Sequence, residues 1–460
     1  MNTPAGSGAL ASQAAQAPSG VQALTSVEQG ATLARVTMRL LPLLLFCYVI
    51  AYVDRINVSF AKLQLREALG VDPAIFGRVY GLGAGLFFIG YFFFEVPSNL
   101  ILQRVGARIW IARIMILWGL VSMAFMFTKG VTMFYVMRFL LGAAEAGFFP
   151  GVILYLTYWF SAKERARAVA LFAVGGVAAG AIGSPISGAL LGLDGVGGLA
   201  GWQWLFFVEA LPAVLMGFVV LFLLPNGPKD ARWLSDHEKA WIQNRLNEEA
   251  LATDASHHHR LKDVFTSGQV WLLCALYFLQ NLGGYGYQMW LPTIVKGLSG
   301  QSDLVVGFIN AIPYVVAGVV MLFYGRHSDR TGERRGHVAF AAFSSAAGFA
   351  IAGSFDNPFL AMTGLTLAFV GMKSLLGPFW ALCTGFLRGT AAAGGIAFIN
   401  SVGNLGGAVG PPLVGIIKDE TGSAMAALYV LGASLLAMAL LALAVRVTPS
   451  QGGIQQCSEP

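Results

Sequence analysis

The chain has 460 residues, of which 56% are hydrophobic and only 11% charged, with a formal net charge of +6. Soluble domains carry roughly 25% charged residues, so this composition and a mean hydropathy of +0.68 exclude a soluble globular enzyme and point to a multi-span membrane protein. The apolar runs are about 20 residues long, which fits helices and excludes a barrel of short alternating strands.

Residues 1–30 are rich in Ala, Gly, Ser and Gln and hold no Lys or Arg. They lack the basic start of a secretory signal peptide, and we expect a disordered tail over 1–34. Six apolar spans follow, near 40–60, 76–101, 108–127, 131–157, 167–191 and 203–224. A polar connection occupies 225–265, where Ser235 and Glu238 have capping-box spacing and Leu234, Trp241, Ile242 and Leu246 recur at helical spacing. We expect an amphipathic helix there, lying on the inner membrane face. Six more spans fall near 266–290, 304–324, 336–354, 358–381, 387–415 and 424–445, and residues 447–460 form a short tail. The expected fold is all-α: about twelve transmembrane helices in two six-helix bundles, 35–224 and 266–446.

Basic residues fix the expected topology. Arg35, Arg39, Arg104, Arg108, Lys163, Arg165, Arg167, Arg326, Arg330, Arg334 and Arg335 gather in alternate loops, which places both termini in the cytoplasm. Lys62, Arg66 and Arg78 in the first outer loop run against this trend. The basic balance is thereby explained by inner loops, and no nucleic-acid partner is expected. Arg388 simply adds inner positive charge.

Cys47, Cys274, Cys383 and Cys457 show no metal spacing and no disulfide framework. His257, His258 and His259 have no other ligand type nearby, so no metal site is assigned. GLGAG at 81–85 and GGYGY at 283–287 lack a strand–turn–helix context, and no GxxxxGK[ST] occurs, which excludes a nucleotide site. The 57 glycines read as helix contacts, notably Gly176/Gly180, Gly403/Gly407 and Gly406/Gly410. Pro185, Pro411 and Pro412 fall where spans kink. With no nucleophile–base motif, an enzyme is not expected.

Charges inside the spans carry the functional reading, because ionisable groups at membrane depth mark substrate or ion routes. Asp54 and Arg55 lie in the first span, Arg138 and Glu145 in the fourth. Counting from the outer ends puts Asp54 and Arg138 at matching depths, roughly 10 Å in. Glu145 is seven residues beyond Arg138, about 10 Å along a straight helix, too far to pair with it. Glu145 is therefore expected near the midplane without a close partner, suited to loading and releasing a proton. Arg55 and Arg138 offer forked donors matched to a carboxylate. Tyr52 shares the face of Arg55. Tyr277, Asn281, Trp380, Asn400 and Asn404 are second-half candidates for hydrogen bonds or ring contact with substrate. Gln280 and Gln288 are assigned to headgroups or the outer mouth. Glu95 is assigned a gating or packing role with Arg104 or Arg108.

The segment YGRHSDRTGERRG, 324–336, resembles the signature loop of the major facilitator superfamily through Gly325, Asp329, Arg330, Arg334 and Arg335. The first-half loop NLILQRVGARIW keeps Asn99, Arg104, Gly106 and Arg108 but lacks the aspartate. Both loops carry gating roles in that fold. YVIAYVDRINVSFA, FFEVPSNLILQRVGAR, RFLLGAAEAGFFPGVILYLTYWF, GPFWAL and INSVGNLGGAVGPPLVG are similar to the anion:cation symporters, whose members carry tartrate, glucarate, galactonate, phthalate or hydroxyphenylacetate. The resemblance implies proton-driven import of an organic carboxylate across a bacterial inner membrane by a monomer. It supports proton roles for Asp54 and Glu145 and substrate roles for Arg55 and Arg138. It also implies neighbouring first and fourth helices, so that Asp54 and Arg138 pair, and it places Tyr91 at a cavity position. A facilitator or exchanger of organic anions without proton coupling is the alternative. Sodium as coupling ion stays open, and no cofactor is expected.

Overall fold

The computed structural model describes residues 24–256, 266–386 and 390–445. His257–His259, Arg388, Cys457 and the tail up to residue 23 lie outside these. The described residues fold as helices: α1 (Ser26–Ile56), α2 (Val58–Leu69), α3 (Phe76–Val105), α4 (Ala107–Ala124), α5 (Gly130–Glu145), α6 (Phe148–Thr157), α7 (Ala162–Leu191), α8 (Gly201–Leu223), α9 (Asp236–Ser256), α10 (Gly268–Ser299), α11 (Asp303–Thr331), α12 (Arg335–Ser354), α13 (Pro358–Ser374), α14 (Leu376–Phe386), α15 (Thr390–Asn404), α16 (Gly406–Thr421) and α17 (Ala424–Leu443).

Taken with α1–α2, α5–α6, α13–α14 and α15–α16 as interrupted rods, these make twelve spans in two bundles, with α9 as a separate linker helix. Ten rods are long and apolar enough to cross a membrane by length and composition. The other two, α10 and α15–α16, are also long but carry Gln280, Asn281, Gln288, Asn400, Ser401 and Asn404, residues that turn inward rather than toward lipid.

The expected tail is shorter than 34 residues. A capping box at Thr25 and Glu28 starts α1 at Ser26. The expected first outer loop is also largely helix: α2 continues the first span to Leu69, and Lys62 on it is buried.

Small residues let the bundles meet, since lipid offers no hydrophobic drive between helices and close packing must supply the attraction. Gly77, Gly81 and Gly85 on α3 lie against α16. A Cβ on Gly81 would stand 2.6 Å from the Pro411 carbonyl oxygen, and one on Gly85 2.6 Å from that of Ala408. Next to them Asp419 accepts from the Gly77 and Arg78 amides, at 2.9 and 2.7 Å, and Arg78 pairs with Glu420 at 3.2 Å. The first turn of α3 has no side-chain cap of its own, so the second bundle supplies one. On the other side of the molecule α7 packs on α11, where Asn310 donates to Ser184 at 2.8 Å. These ties between bundles cluster at the end of the spans away from α9.

The linker helix is clipped to the first bundle. Glu238 closes the capping box with Ser235 and also accepts from Thr32 (2.8 Å) and Arg35 (3.0 Å). Arg245 donates to both oxygens of Glu164 and to Ser161. Leu234 and Ile242 are buried in the core, and Trp233 stacks on Trp159. The apolar face expected on the membrane surface is therefore spent on protein packing.

Candidate transport site

The interruptions place the charges. In the fourth span Ala146 (ψ 132°) and Gly147 (φ 87°) leave the helical region directly after Glu145. Pro150 has no N–H for the Ala146 carbonyl, so the helix cannot run through. In the tenth span Pro378 likewise leaves the Ser374 carbonyl without its helical donor, next to the interruption at Leu375. Arg55 and Lys373 sit in the last turns of α1 and α13, where free carbonyls favour a cation.

Arg55 and Glu145 meet at this level. The guanidinium donates through Nε (3.0 Å) and Nη2 to the same carboxylate oxygen of Glu145. Its Nη1 donates to the Tyr285 hydroxyl of α10 at 3.3 Å, and its carbon lies over the rings of Phe87 (5.5 Å) and Tyr91 (5.4 Å). Tyr52 donates to Gln288 at 2.6 Å and accepts from the Lys373 ammonium at 3.2 Å. Two sets of polar contacts, Glu145–Arg55–Tyr285 and Gln288–Tyr52–Lys373, thus cross from one bundle to the other.

Several expectations fail here for identifiable reasons. Asp54 does not pair with Arg138. Asp54 turns back into the first bundle and accepts from Ser122 (2.5 Å) and Asn57 (2.9 Å). Arg138 is fully buried and donates to the Gly83 and Ala84 carbonyls of α3. Glu145 has a close partner after all, because Arg55 reaches across from the first span. Gln288 lies in the centre, not at a headgroup, and buried Gln280 donates to the Met372 carbonyl.

The second-half candidates form a separate group nearer the linker end. Eight residues separate Tyr277 from Tyr285 on α10, about 12 Å. Tyr277 stacks on Phe379 and meets Trp380 edge-on, with Gly403 beneath its ring. Asn281 donates to Asn404 at 3.5 Å. Asn400 and Ser401 donate to Glu95 at 2.9 and 2.8 Å. Glu95 is buried between the bundles in this way and does not use Arg104 or Arg108, which are exposed. In the signature loop Arg334 pairs with Asp329 at 2.7 Å and also donates to Ser328. Arg330 and Arg335 are exposed and Gly325 is half-buried.

Sequence reasoning missed Lys373, Tyr285 and Glu209, and placed Lys62 in an outer loop although it is buried. Lys373 and Tyr285 bring the second bundle to Tyr52 and Arg55. Glu209 on α8 accepts from Ser187 at 2.6 Å and interacts with Asn57 and Asp54. Lys62 stands 2.9 Å from the centre of the Trp290 ring and 4.6 Å from that of Tyr80.

Two helical bundles with paired charges between them, set at interrupted spans, define a membrane transporter rather than an enzyme. The family model described as Major Facilitator Superfamily matches residues 44–411. The chain belongs to that superfamily, and the likeness to its anion:cation symporters stands with it. It is 47% identical over 420 residues to a protein of Agrobacterium vitis named "Putative tartrate transporter", covering 91% of this chain and 92% of the relative. It is 43% identical to a "Quinolone resistance transporter" of Acinetobacter baumannii, covering 86% and 90%. Among solved structures, that of a D-xylose-proton symporter superposes with a TM-score of 0.73 at 14% identity, over 90% of this chain and 98% of the other.

Proposed function

We propose that this protein is a proton-coupled symporter that imports an organic carboxylate, a tartrate-like hydroxy acid, by alternating access. The observation that carries the reading is the Arg55–Glu145 pair, buried between bundles and bridged to Tyr285. A proton on Glu145 removes the charge that holds Arg55. The freed guanidinium then takes a substrate carboxylate in the same forked geometry. Loading and protonation favour each other, which is what coupling requires. Asp54 is the second proton site, since one of its oxygens is buried with no hydrogen-bond partner. Arg138 acts through α3, holding Phe87 beside Arg55.

The basic loops support cytoplasmic termini and an inner-membrane location, and the two bundles are the rocking units, 35–224 and 266–446, with a monomer as the working unit. Proton rather than sodium is assigned because two buried carboxylates, Asp54 and Glu145, lie inside the spans.

The test is uptake of tartrate into proteoliposomes with and without an imposed inward proton gradient. Gradient-driven accumulation is expected. Uptake indifferent to the gradient, but active in counterflow, would instead establish an exchanger. Because one relative is named for drug resistance, the same vesicles should be tested for outward movement of a quinolone. Such movement without acid uptake would overturn import.

A further inference from the structure

Among the described residues, the basic group that the second bundle brings to Tyr52 has no acidic partner. Lys373 stands at the end of α13. Its ammonium donates to Tyr52 at 3.2 Å and lies 5.0 Å from the centre of the Phe369 ring and 5.7 Å from that of Tyr52. Tyr285 is the other titratable group in its reach. None of these is acidic, and no ion pair to Lys373 exists among the described residues. Lys373 is half-buried, and a charge even partly withdrawn from water and left without a counter-ion is costly. That cost persists in a protein only where something else meets the charge.

Charge counting says what meets it. In the empty site Arg55 and Lys373 contribute two positive charges and Glu145 one negative, leaving one positive. Once Glu145 carries a proton, two positive charges face each other across Tyr52 and Tyr285, one from each bundle. A dianion neutralises that pair, whereas a monoanion leaves one cation bare. We infer that Lys373 is the second carboxylate anchor of the transport site, and that the site selects dicarboxylates, one carboxylate on Arg55 and the other on Lys373. This inference rests on the carboxylate reading above and narrows it. A two-point clamp also explains how cargo draws the halves together, since each anchor belongs to a different half.

The test compares succinate with its monoamide, succinamate, which has nearly the same shape and one charge fewer. Binding is measured by calorimetry on the full chain in lipid nanodiscs at a pH where both acids are ionised. The wild type is expected to prefer succinate about tenfold or more, the order expected of one charge-assisted contact. K373Q and K373M, made in parallel as a safeguard on folding and checked by size exclusion, should bring the ratio within about twofold. K373R should keep it. A ratio unchanged in the neutral variants overturns the inference, as does a wild type that takes up both acids equally. A wild type that neither binds nor transports any carboxylate overturns the carboxylate reading itself and this inference with it.

Discussion

Glu145 grips Arg55 through a single carboxylate oxygen that receives both Nε and Nη2. Arg55 comes from the first span and Glu145 from the fourth, and their side chains are 15% and 2% exposed respectively. Such a pair is held tightly yet can be undone by one proton.

Glu145→Gln keeps the shape but removes the charge. Under the proposed coupling, the variant should lose gradient-driven accumulation by about tenfold or more, while counterflow continues. Arg55→Lys should fail in both assays, because an ammonium cannot reproduce the fork. Uptake and counterflow in the same vesicles decide both outcomes. An E145Q protein that still accumulates substrate against its gradient removes Glu145 from the coupling path.

Asp419 caps α3 from the other bundle, so its loss should ease the bundles apart at the end away from the linker. A helix cap is worth about 1 kcal/mol, which corresponds to roughly a fivefold change in the open population. Gln64 of α2 is half-buried and donates to Asp303 of the second bundle at 3.3 Å, so a cysteine placed there should react several-fold faster with an impermeant maleimide in Asp419→Ala than in the parent. Unchanged labelling would show that the Gly77 and Arg78 amides find water without opening.

The clip between α9 and the first bundle is pH-sensitive. Burial pushes the Glu164 carboxyl up, but hydrogen bonds from Arg245 and Ser161 outweigh it and leave it below its ordinary value. Burial does the same at Glu238, and Ser235, Thr32 and Arg35 outweigh it there. A carboxyl lowered on folding stabilises above its unfolded value of about 4.5 and loses that contribution as pH falls through the folded value. Protection from hydrogen exchange over 236–249, taken relative to the intrinsic rate at each pH, should therefore be high at pH 7 and fall as pH drops below about 4.5. Arg245→Ala should show the lower protection already at pH 7.

Glu209 holds Ser187 and lies beside Asn57 and Asp54. Glu209→Gln keeps an acceptor for Ser187 and should unfold within a few degrees of the parent. Glu209→Leu leaves Ser187 and Asn57 facing an apolar chain, a cost of about 1–3 kcal/mol, and should lower the melting temperature clearly more. Equal melting temperatures would mean that water fills the gap.

The charges in the first and fourth spans were legible because Asp, Glu and Arg are rare in apolar runs. Their partners were not. Pairing Asp54 with Arg138 assumed straight helices at equal depth, but depth says nothing about which way a side chain turns. The break at Ala146–Gly147 swings Glu145 toward Arg55, and Asp54 finds Ser122 on a third helix. Lys373 was overlooked although it lies inside the expected span 358–381, because no acid or arginine accompanies it there. One signal would have found it: Glu145 precedes Pro150 by five residues, and Lys373 precedes Pro378 by the same five. A matched proline interruption in each half is what inverted-repeat transporters use to aim groups at the centre. The capping box at Ser235 was readable from local spacing, whereas the surface on which α9 lies was a tertiary matter.

The ammonium of Lys62, lodged against the indole of Trp290, gives the molecule an optical gauge. Lys62 belongs to the first bundle and Trp290 to the second, so the contact lasts only while those ends are shut. Each parting exchanges a cation for water at the ring, and indole emission responds to that exchange. Turnover should therefore be visible as a colour shift in unlabelled protein, and absent in a Trp290→Phe variant.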